Sequence, residues 1–309
     1  SGKVLVAGGT PTSTSAQLFD PAANGGVGAF TATGSMATGR AFHAAAVLAS
    51  GKVLVAGGNP GTSTATAEIF DPAANGGVGA FTTTGSMLFA EAELSAAVLG
   101  SGKVLIYGAG TSAHLFNPAG NGGVGTFATT VIPTSHYQGT LTPLWSGAVL
   151  LVGGFDPIGG GAFPRFADTF TETVGVRNSG LVVVQRRDHA ATVLASGKVL
   201  ITGGNNFTSE IASAEVFEGI VGDACPSDAF CSSGFCVDGV CCDTACKGGS
   251  CDRCDLAGTV GTCTTAPLGN PGKGPLCATP LTCDGVRTSC TSCESDAGCV
   301  ATYYCAANG

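Results

Sequence analysis

Short apolar runs, each ended by glycines, recur along the first two thirds of the chain. The run SGKVLVAGG at Ser1–Gly9 returns in related form at Ser50–Gly58, Ser101–Gly110, Ser146–Gly154 and Ser196–Gly204, at intervals of 45 to 51 residues. A regular period of this length is typical of an array of supersecondary units, in which each unit covers the apolar face of the next. The pattern therefore predicts the scaffold more firmly than it predicts the function.

The second unit shows the strands that such a pattern predicts. Ala41–Leu48 and Lys52–Gly58 flank a short turn, and Ala67–Asp71 and Ala80–Thr84 flank an Asn-Gly-Gly turn. The connections are too short for crossover helices, so we expect four antiparallel strands in each unit. Small residues at Ala44–Ala46 suit a first strand that crowds against others around a common axis. The sequence therefore predicts an all-β fold.

Composition and charge narrow the possible partners. Glycine accounts for 50 of the 309 residues and charged residues for only 11%, which suits tightly turned strands better than helices. The net charge is −8, so we expect no nucleic-acid partner. No apolar run approaches the roughly 18 residues that a spanning helix needs, so we expect no membrane span in this chain.

The recurring positions resemble the kelch repeat. They follow the order Arg-x-x-His, Gly-Gly, Glu-x-Phe-Asp-Pro, aromatic residue and Met. In the second unit these are Arg40, His43, Gly57, Gly58, Glu68, Phe70, Asp71, Pro72, Phe81 and Met87, and the last unit repeats His189, Gly203 and Gly204. The resemblance covers about residues 1–218. It implies a β-propeller of four-stranded blades, as in the central domain of galactose oxidase.

The count of strands indicates an incomplete ring. The first unit begins at its second strand and the last unit stops after its third, which gives three whole blades and two partial ones. We expect the missing strands upstream of Ser1, in a parent protein with six or seven blades. The propeller is assigned to residues 1–222, and a second, different domain to residues 223–309.

The second domain is defined by its cysteines, because none precedes Asp223 and 15 follow it. With almost no aliphatic core, it needs disulfides for stability. The alternative is zinc, since Cys251-x-x-Cys254 and Cys290-x-x-Cys293 have chelating spacing, but 35 residues separate the two pairs. We therefore predict disulfides among Cys225, Cys231, Cys236, Cys241, Cys242, Cys246, Cys251, Cys254, Cys263, Cys277, Cys283, Cys290, Cys293, Cys299 and Cys305.

The odd number of cysteines indicates a second module that starts near residue 293 and is cut off. Cys293 to Cys299 repeats the pattern of Cys225 to Cys231, so one of Cys293, Cys299 or Cys305 is expected to lack its partner. The segment resembles cysteine-rich modules of secreted bacterial surface proteins. This implies an extracellular or cell-surface location, and an oxidising compartment.

No catalytic set is evident in the propeller sequence. The resemblance to galactose oxidase suggests a copper radical site, which needs two His, an axial Tyr and a Tyr cross-linked to Cys. The region up to Gly222 has no Cys, and its only Tyr are Tyr107 and Tyr137. His43 and His189 occupy equivalent places and are read as structural rather than as a ligand ring. We therefore predict no catalytic residue, metal or cofactor.

The sequence favours a binding or adhesion module whose propeller loops hold a protein or a glycan. Charged loop positions that differ between repeats are the candidate contacts, namely Glu91, Glu93, Arg165, Arg186, Arg187 and Asp188. Two alternatives stay open: a structural surface or filament subunit, and a secreted carbohydrate-active oxidase or hydrolase with catalytic residues in missing sequence. The oligomeric state is left open.

Overall fold

The fold is known from a computed structural model, which describes residues 2–59, 61–108, 111–156, 165–246, 252–256 and 258–267. Two compact units are distinguished. The first contains Ser1–Thr192 and Ile201–Glu215, and the second contains Val193–Leu200 and the chain from Val216. Because this division passes through the last propeller sheet, the domain boundary at residue 222 stays a prediction.

Eighteen strands form five small antiparallel sheets, the blades of a β-propeller. Within each sheet the strands follow chain order. Blade 1 contains β1 (Val4–Ala7), β2 (Ala16–Asp20) and β3 (Ala29–Ala32). Blade 2 contains β4 (Ala44–Val47), β5 (Val53–Ala56), β6 (Ala67–Asp71) and β7 (Ala80–Thr83). Blade 3 contains β8 (Ser95–Val98), β9 (Val104–Tyr107), β10 (Ser112–Asn117) and β11 (Thr126–Val131).

Blade 4 contains β12 (Thr140–Pro143), β13 (Val149–Val152), β14 (Phe166–Thr171) and β15 (Gly175–Leu181). Blade 5 contains β16 (Ala190–Val193), β17 (Val199–Thr202) and β18 (Ala214–Phe217). The all-β propeller is therefore confirmed, with three sheets of four strands and two of three. The blade number of a longer parent protein stays a prediction. No helix among the described residues is long and apolar enough to cross a membrane.

The inner strands are built from small residues because consecutive blades approach closely there. In blade 2, Ala44 pairs with Ala56 and Val47 with Val53 across β4 and β5. Strand β8 lies beside β4 on one side and β12 on the other. The Ser95 hydroxyl on β8 donates to the carbonyl oxygen of Gly139, just before β12, at 3.0 Å. Bulky side chains on these strands would force the blades apart.

Apolar side chains fill the spaces between blades. One buried cluster joins Leu54 and Ile69 of blade 2 to Ile106 and Phe116 of blade 3. A second joins Leu105 of blade 3 to neighbours in blade 4 that include Leu151 and Phe170. Blades 2, 3 and 4 therefore cover one another's apolar faces, as the repeat predicts.

The turns between the last two strands of blades 1 to 3 contain a single helical turn each. These turns are α1 (Ala23–Gly26), α2 (Ala74–Gly77) and α3 (Gly120–Gly123). In α2, Asn75 and Gly76 adopt left-handed conformations with φ of 51° and 70°. Asparagine and glycine tolerate positive φ better than other residues, so the Asn-Gly sequence suits the reversal of the chain at this turn.

A buried polar pair recurs in the blades. In blade 2 the Arg40 guanidinium contacts the Glu68 carboxylate at 3.0 Å, and neither side chain is more than 2% exposed. The same two positions carry Glu91 and His114 in blade 3, 3.4 Å apart. They carry His136 and Asp168 in blade 4, and Arg186 and Glu215 in blade 5.

The second unit contains, in its described part, short strands and disulfides. Its elements are a 3-10 turn (Asp228–Phe230) and the strands β19 (Cys236–Val237), β20 (Val240–Cys241), β21 (Asp252–Arg253) and β22 (Thr264–Thr265). Four disulfides join Cys225 to Cys236, Cys231 to Cys241, Cys242 to Cys254, and Cys246 to Cys263. The disulfide-rich character of this segment is confirmed, and Cys254, one of the zinc-spaced cysteines, is disulfide-bonded.

Part of the predicted cysteine framework lies outside the described residues. This part comprises Cys251, Cys277, Cys283, Cys290, Cys293, Cys299 and Cys305, together with the second module that begins near residue 293. Their pairing therefore stays a prediction.

Candidate functional site

Four loop residues meet at one end of the inner strands. Phe42, Glu93, Gln138 and Asp188 each lie two residues before the inner strand of blades 2 to 5. All four have positive φ, at 56°, 56°, 58° and 51°. Left-handed backbone is unfavourable for residues other than glycine, and it persists only where the surrounding structure enforces it. This repeated strain marks the end of the inner strands as a candidate site.

Backbone hydrogen bonds hold these loops against their neighbours. The amide of Glu93 donates to the carbonyl oxygen of Phe42 at 2.8 Å. The amide of Asp188 donates to the carbonyl oxygen of Gln138 at 2.9 Å. Since each bond joins consecutive blades, the four side chains are presented from a rigid rim.

The rim surrounds a cavity of about 410 Å³, which we call the mouth. Phe42, Glu93, Gln138 and Asp188 line it together with the imidazoles of His43 and His189. Its volume falls in the range of small-ligand sites, which is about 300–1,000 Å³. The mouth is therefore large enough for one side chain or one sugar ring.

Glu93 is fixed by two donors from blade 4. Its Oε2 accepts hydrogen bonds from the Tyr137 hydroxyl at 2.6 Å and from Nε2 of Gln138 at 2.5 Å. Burial raises the pKa of Tyr137, and its hydrogen bond to Glu93 raises that pKa further, so the phenol stays protonated and donates. These two donors hold the Glu93 carboxylate in one orientation.

Arg187 holds rim side chains in place through direct and indirect hydrogen bonds. Its guanidinium stacks over the Phe207 ring at 3.7 Å from the centroid, and its Nε donates to Oδ1 of Asn205 at 2.9 Å. Its Nη1 donates to Oε1 of Gln138. The Asn205 amide in turn donates to Oδ2 of Asp188 at 3.2 Å. Arg187 is therefore a positioning residue for the side chains that line the mouth.

The two imidazoles in the mouth are neutral at neutral pH. Burial, and to a smaller extent the positive charge of Arg186, together lower the pKa of His189 to about 4. Burial and the charge of Arg40 also lower the pKa of His43. Nε2 of His189 lies 3.0 Å from the Thr140 hydroxyl. Neither imidazole adds positive charge to the mouth.

The structure separates the sequence-predicted contacts into three groups. Glu93 and Asp188 line the mouth, and Arg187 lies beside it. Glu91 and Arg186 belong to buried pairs, so we do not retain them as ligand contacts. Arg165 is exposed and donates to the carbonyl oxygen of Val182, and it is absent from the lining of the mouth.

Sequence reasoning missed Phe42, Gln138 and Tyr137. Phe42 and Gln138 occupy the same repeat position as Glu93 and Asp188, two residues before each inner strand. A search restricted to charged residues passes over them. Alignment of that single position across blades 2 to 5 was the signal that could have found the rim.

The propeller residues do not fit the copper radical site that the resemblance suggests. Both ring nitrogens of His136 are used, by the Gly153 carbonyl oxygen at 2.9 Å and by Asp168 at 3.0 Å. The Tyr137 hydroxyl binds Glu93. In the described part of the chain, groups of three potential metal ligands are formed only by cysteines, and those cysteines are disulfide-bonded.

Comparison with known proteins supports the fold. A fungal alcohol oxidase of the AA5 family, determined in complex with copper, has a TM-score of 0.57 and 18% sequence identity. The similarity covers 70% of this chain and 49% of that protein, so the chain spans about half its length. No protein-family model matches the sequence, and no curated protein sequence matches it significantly. The propeller therefore resembles that of a copper alcohol oxidase.

Proposed function

We propose that the chain is an extracellular or cell-surface binding module whose ligand, a protein or a glycan, enters the mouth. The observation that carries this proposal is the convergence of four strained loop residues on one cavity. Strained backbone clusters at binding sites because it fixes side chains before the ligand arrives. The disulfides of the second unit support an oxidising environment.

The buried strand positions repeat from blade to blade, whereas the rim position varies, and this contrast also supports binding. Phe70, Phe116 and Phe170 recur in the third strands, where they are buried. The rim position instead carries Phe, Glu, Gln and Asp in successive blades. Packing between blades requires phenylalanine in the third strands. The variable rim instead offers an aromatic face, two carboxylates and an amide to a ligand.

Arrays of glycans and of surface proteins test the proposal. We expect the wild-type chain to bind a defined subset, and Glu93→Gln combined with Asp188→Asn to lose at least tenfold in affinity. The matched control is Glu172→Gln, which makes the same change at a carboxylate paired with Lys103, away from the mouth. Equal binding by the double variant and the wild type would refute the mouth as the site.

The likeness to the AA5 enzyme supports a second candidate, a secreted carbohydrate-active oxidase or hydrolase. That relative is described as an alcohol oxidase in complex with copper. Since the described residues do not assemble its ligand set, we derive no catalytic step through copper. Copper titration followed by assay of hydrogen peroxide release from primary alcohols and sugars tests this candidate directly.

A structural surface or filament subunit is the remaining alternative. It would need large repeated interfaces between copies, well above about 1,000 Å². Sedimentation over a range of protein concentrations distinguishes it from a monomeric binding module.

A further inference from the structure

The charges that line the mouth point to the chemistry of its ligand, given the proposed function on which this inference rests. Two carboxylates, those of Glu93 and Asp188, line the cavity, and the described lining contains no lysine or arginine. Arg187, beside the mouth, is held by Gln138 and Asn205 and by stacking on Phe207. Its Nε lies 3.7 Å from Oδ2 of Asp188, so it offsets part of one carboxylate charge, whereas Glu93 faces no cation among its described partners. The mouth therefore favours a cation over an anion.

One oxygen of each carboxylate is already used, and the other has no hydrogen-bond partner among the described residues. Glu93 receives both of its donors on Oε2, which leaves Oε1. Asp188 receives the Asn205 amide on Oδ2, which leaves Oδ1. The rim thus holds each carboxylate in place and keeps one acceptor for a ligand.

A neutral imidazole also lines the mouth. His189 is only 8% exposed, and Nε2 of its ring lies 3.0 Å from the Thr140 hydroxyl. Because burial lowers the pKa of His189, the ring brings no positive charge that would oppose a cation.

Apolar surface completes the site. The Phe42 ring lines the mouth and is 57% exposed, and Leu94 lies beside it. An exposed aromatic face attracts an ammonium group and also packs against methylene groups. A sugar ring has no such methylene stem, whereas a lysine side chain combines four methylene groups with three N–H donors.

We propose that the mouth binds the protonated side-chain amine of a lysine on a partner protein, between the carboxylates of Glu93 and Asp188. The methylene stem packs on Phe42, and the ammonium group donates to the free carboxylate oxygens.

Calorimetric titration with Nα-acetyl-lysine methylamide at low salt tests the proposal on the full chain with its disulfides intact. We expect saturable binding that weakens at least tenfold when the probe is acetylated on Nε, and that falls steeply as sodium chloride is raised. Glu93→Gln and Asp188→Asn should each weaken binding at least fivefold, while Glu172→Gln leaves it unchanged. Circular dichroism confirms that the variants are folded.

Three outcomes would overturn the proposal: equal binding of the Nε-acetylated probe, tighter binding of glucosamine than of the lysine probe, or calcium binding at the mouth in place of the amine. If a neutral sugar binds and Gln138→Ala abolishes that binding, the lysine proposal fails while the mouth remains the binding site. If arrays show binding that none of the mouth variants changes, the proposed site itself fails.

Discussion

The guanidinium of Arg40 and the carboxylate of Glu68 lie 3.0 Å apart in the interior of the propeller. Arg40 also donates to the carbonyl oxygens of Gly57 and Thr66, each at 2.8 Å. The Glu68 carboxylate accepts from the backbone amides of residues 37 and 38, in the segment that connects blades 1 and 2. The pair therefore links the segment that leads into blade 2 to the third strand of that blade.

Removal of one partner of this pair should be strongly destabilising, because the other charge stays buried without compensation. We expect Arg40→Met to lower the free energy of unfolding by about 3–5 kcal/mol. The measurement is urea denaturation followed by circular dichroism. Lys52→Met is the control, since the Lys52–Asp71 pair is exposed to solvent and such pairs contribute little to stability. A loss for Arg40→Met no larger than for this control would contradict the assigned role.

In blade 3 the carboxylate lies at the other position of the pair, since Glu91 takes the place of Arg40 and the imidazole of His114 takes that of Glu68. Glu91→Arg alone places a guanidinium beside His114, where it has no carboxylate partner. This single substitution should therefore lower the free energy of unfolding. Adding His114→Glu restores the Arg–Glu combination of blade 2 and should recover much of the loss. A double-mutant cycle of unfolding free energies measures this coupling. Additive losses in the cycle would show that the two positions do not interact.

His189 should make stability depend on pH. Its pKa is about 4 in the folded state against 6.5 for the free side chain, so between these values only the unfolded chain binds the proton. The contribution of His189 to the free energy of unfolding is fully retained above pH 6.5. Between pH 6.5 and pH 4 it falls by up to about 1.4 kcal/mol for each pH unit. Below that pH both states are protonated.

The matched variant is His189→Leu, because blade 3 carries Leu94 at the equivalent position. Unfolding free energies measured from pH 7 to pH 4 should fall less steeply for this variant than for the wild type. Parallel curves for the two proteins would contradict the lowered pKa of His189.

Gly79 should tolerate alanine poorly for a steric reason. A Cβ at Gly79 would lie 2.3 Å from Cζ of Phe70, whereas a Cβ at Gly77 meets no atom within 4 Å. Their φ values are similar, 89° and 93°, so backbone strain is matched. We expect Gly79→Ala to cost about 1–3 kcal/mol more than Gly77→Ala in thermal or urea unfolding. Equal costs would show that the Phe70 ring moves aside freely.

The fold could be predicted from the sequence because the strand pattern recurs in every repeat. Ser50–Gly58 and its copies each contain a hairpin turn and the strand that follows it, and Asn75-Gly76 fixes a reversal through its own backbone preference. These signals are local, so they can be read without a partner strand.

The candidate site was predicted only in part, because its geometry depends on distant residues. Glu91 and Arg186 look like exposed loop charges in the sequence, but His114 and Glu215 bury them. Nothing local indicates that Phe42 has a left-handed backbone, since phenylalanine rarely adopts one. That conformation is imposed by the adjoining blade, which binds the Phe42 carbonyl oxygen.

Glu91 occupies the position that carries Arg40 in blade 2 and Arg186 in blade 5, and this difference bears on how similar repeats pair during folding. A connector docked one blade out of place would set Glu91 beside Glu68, and two carboxylates would meet in the interior of the propeller. Multidomain and repeat proteins are prone to misassembly between similar modules. Between blades 2 and 3 such a mistake is electrostatically penalised, so the acidic side chain of Glu91 favours the correct order of these two blades.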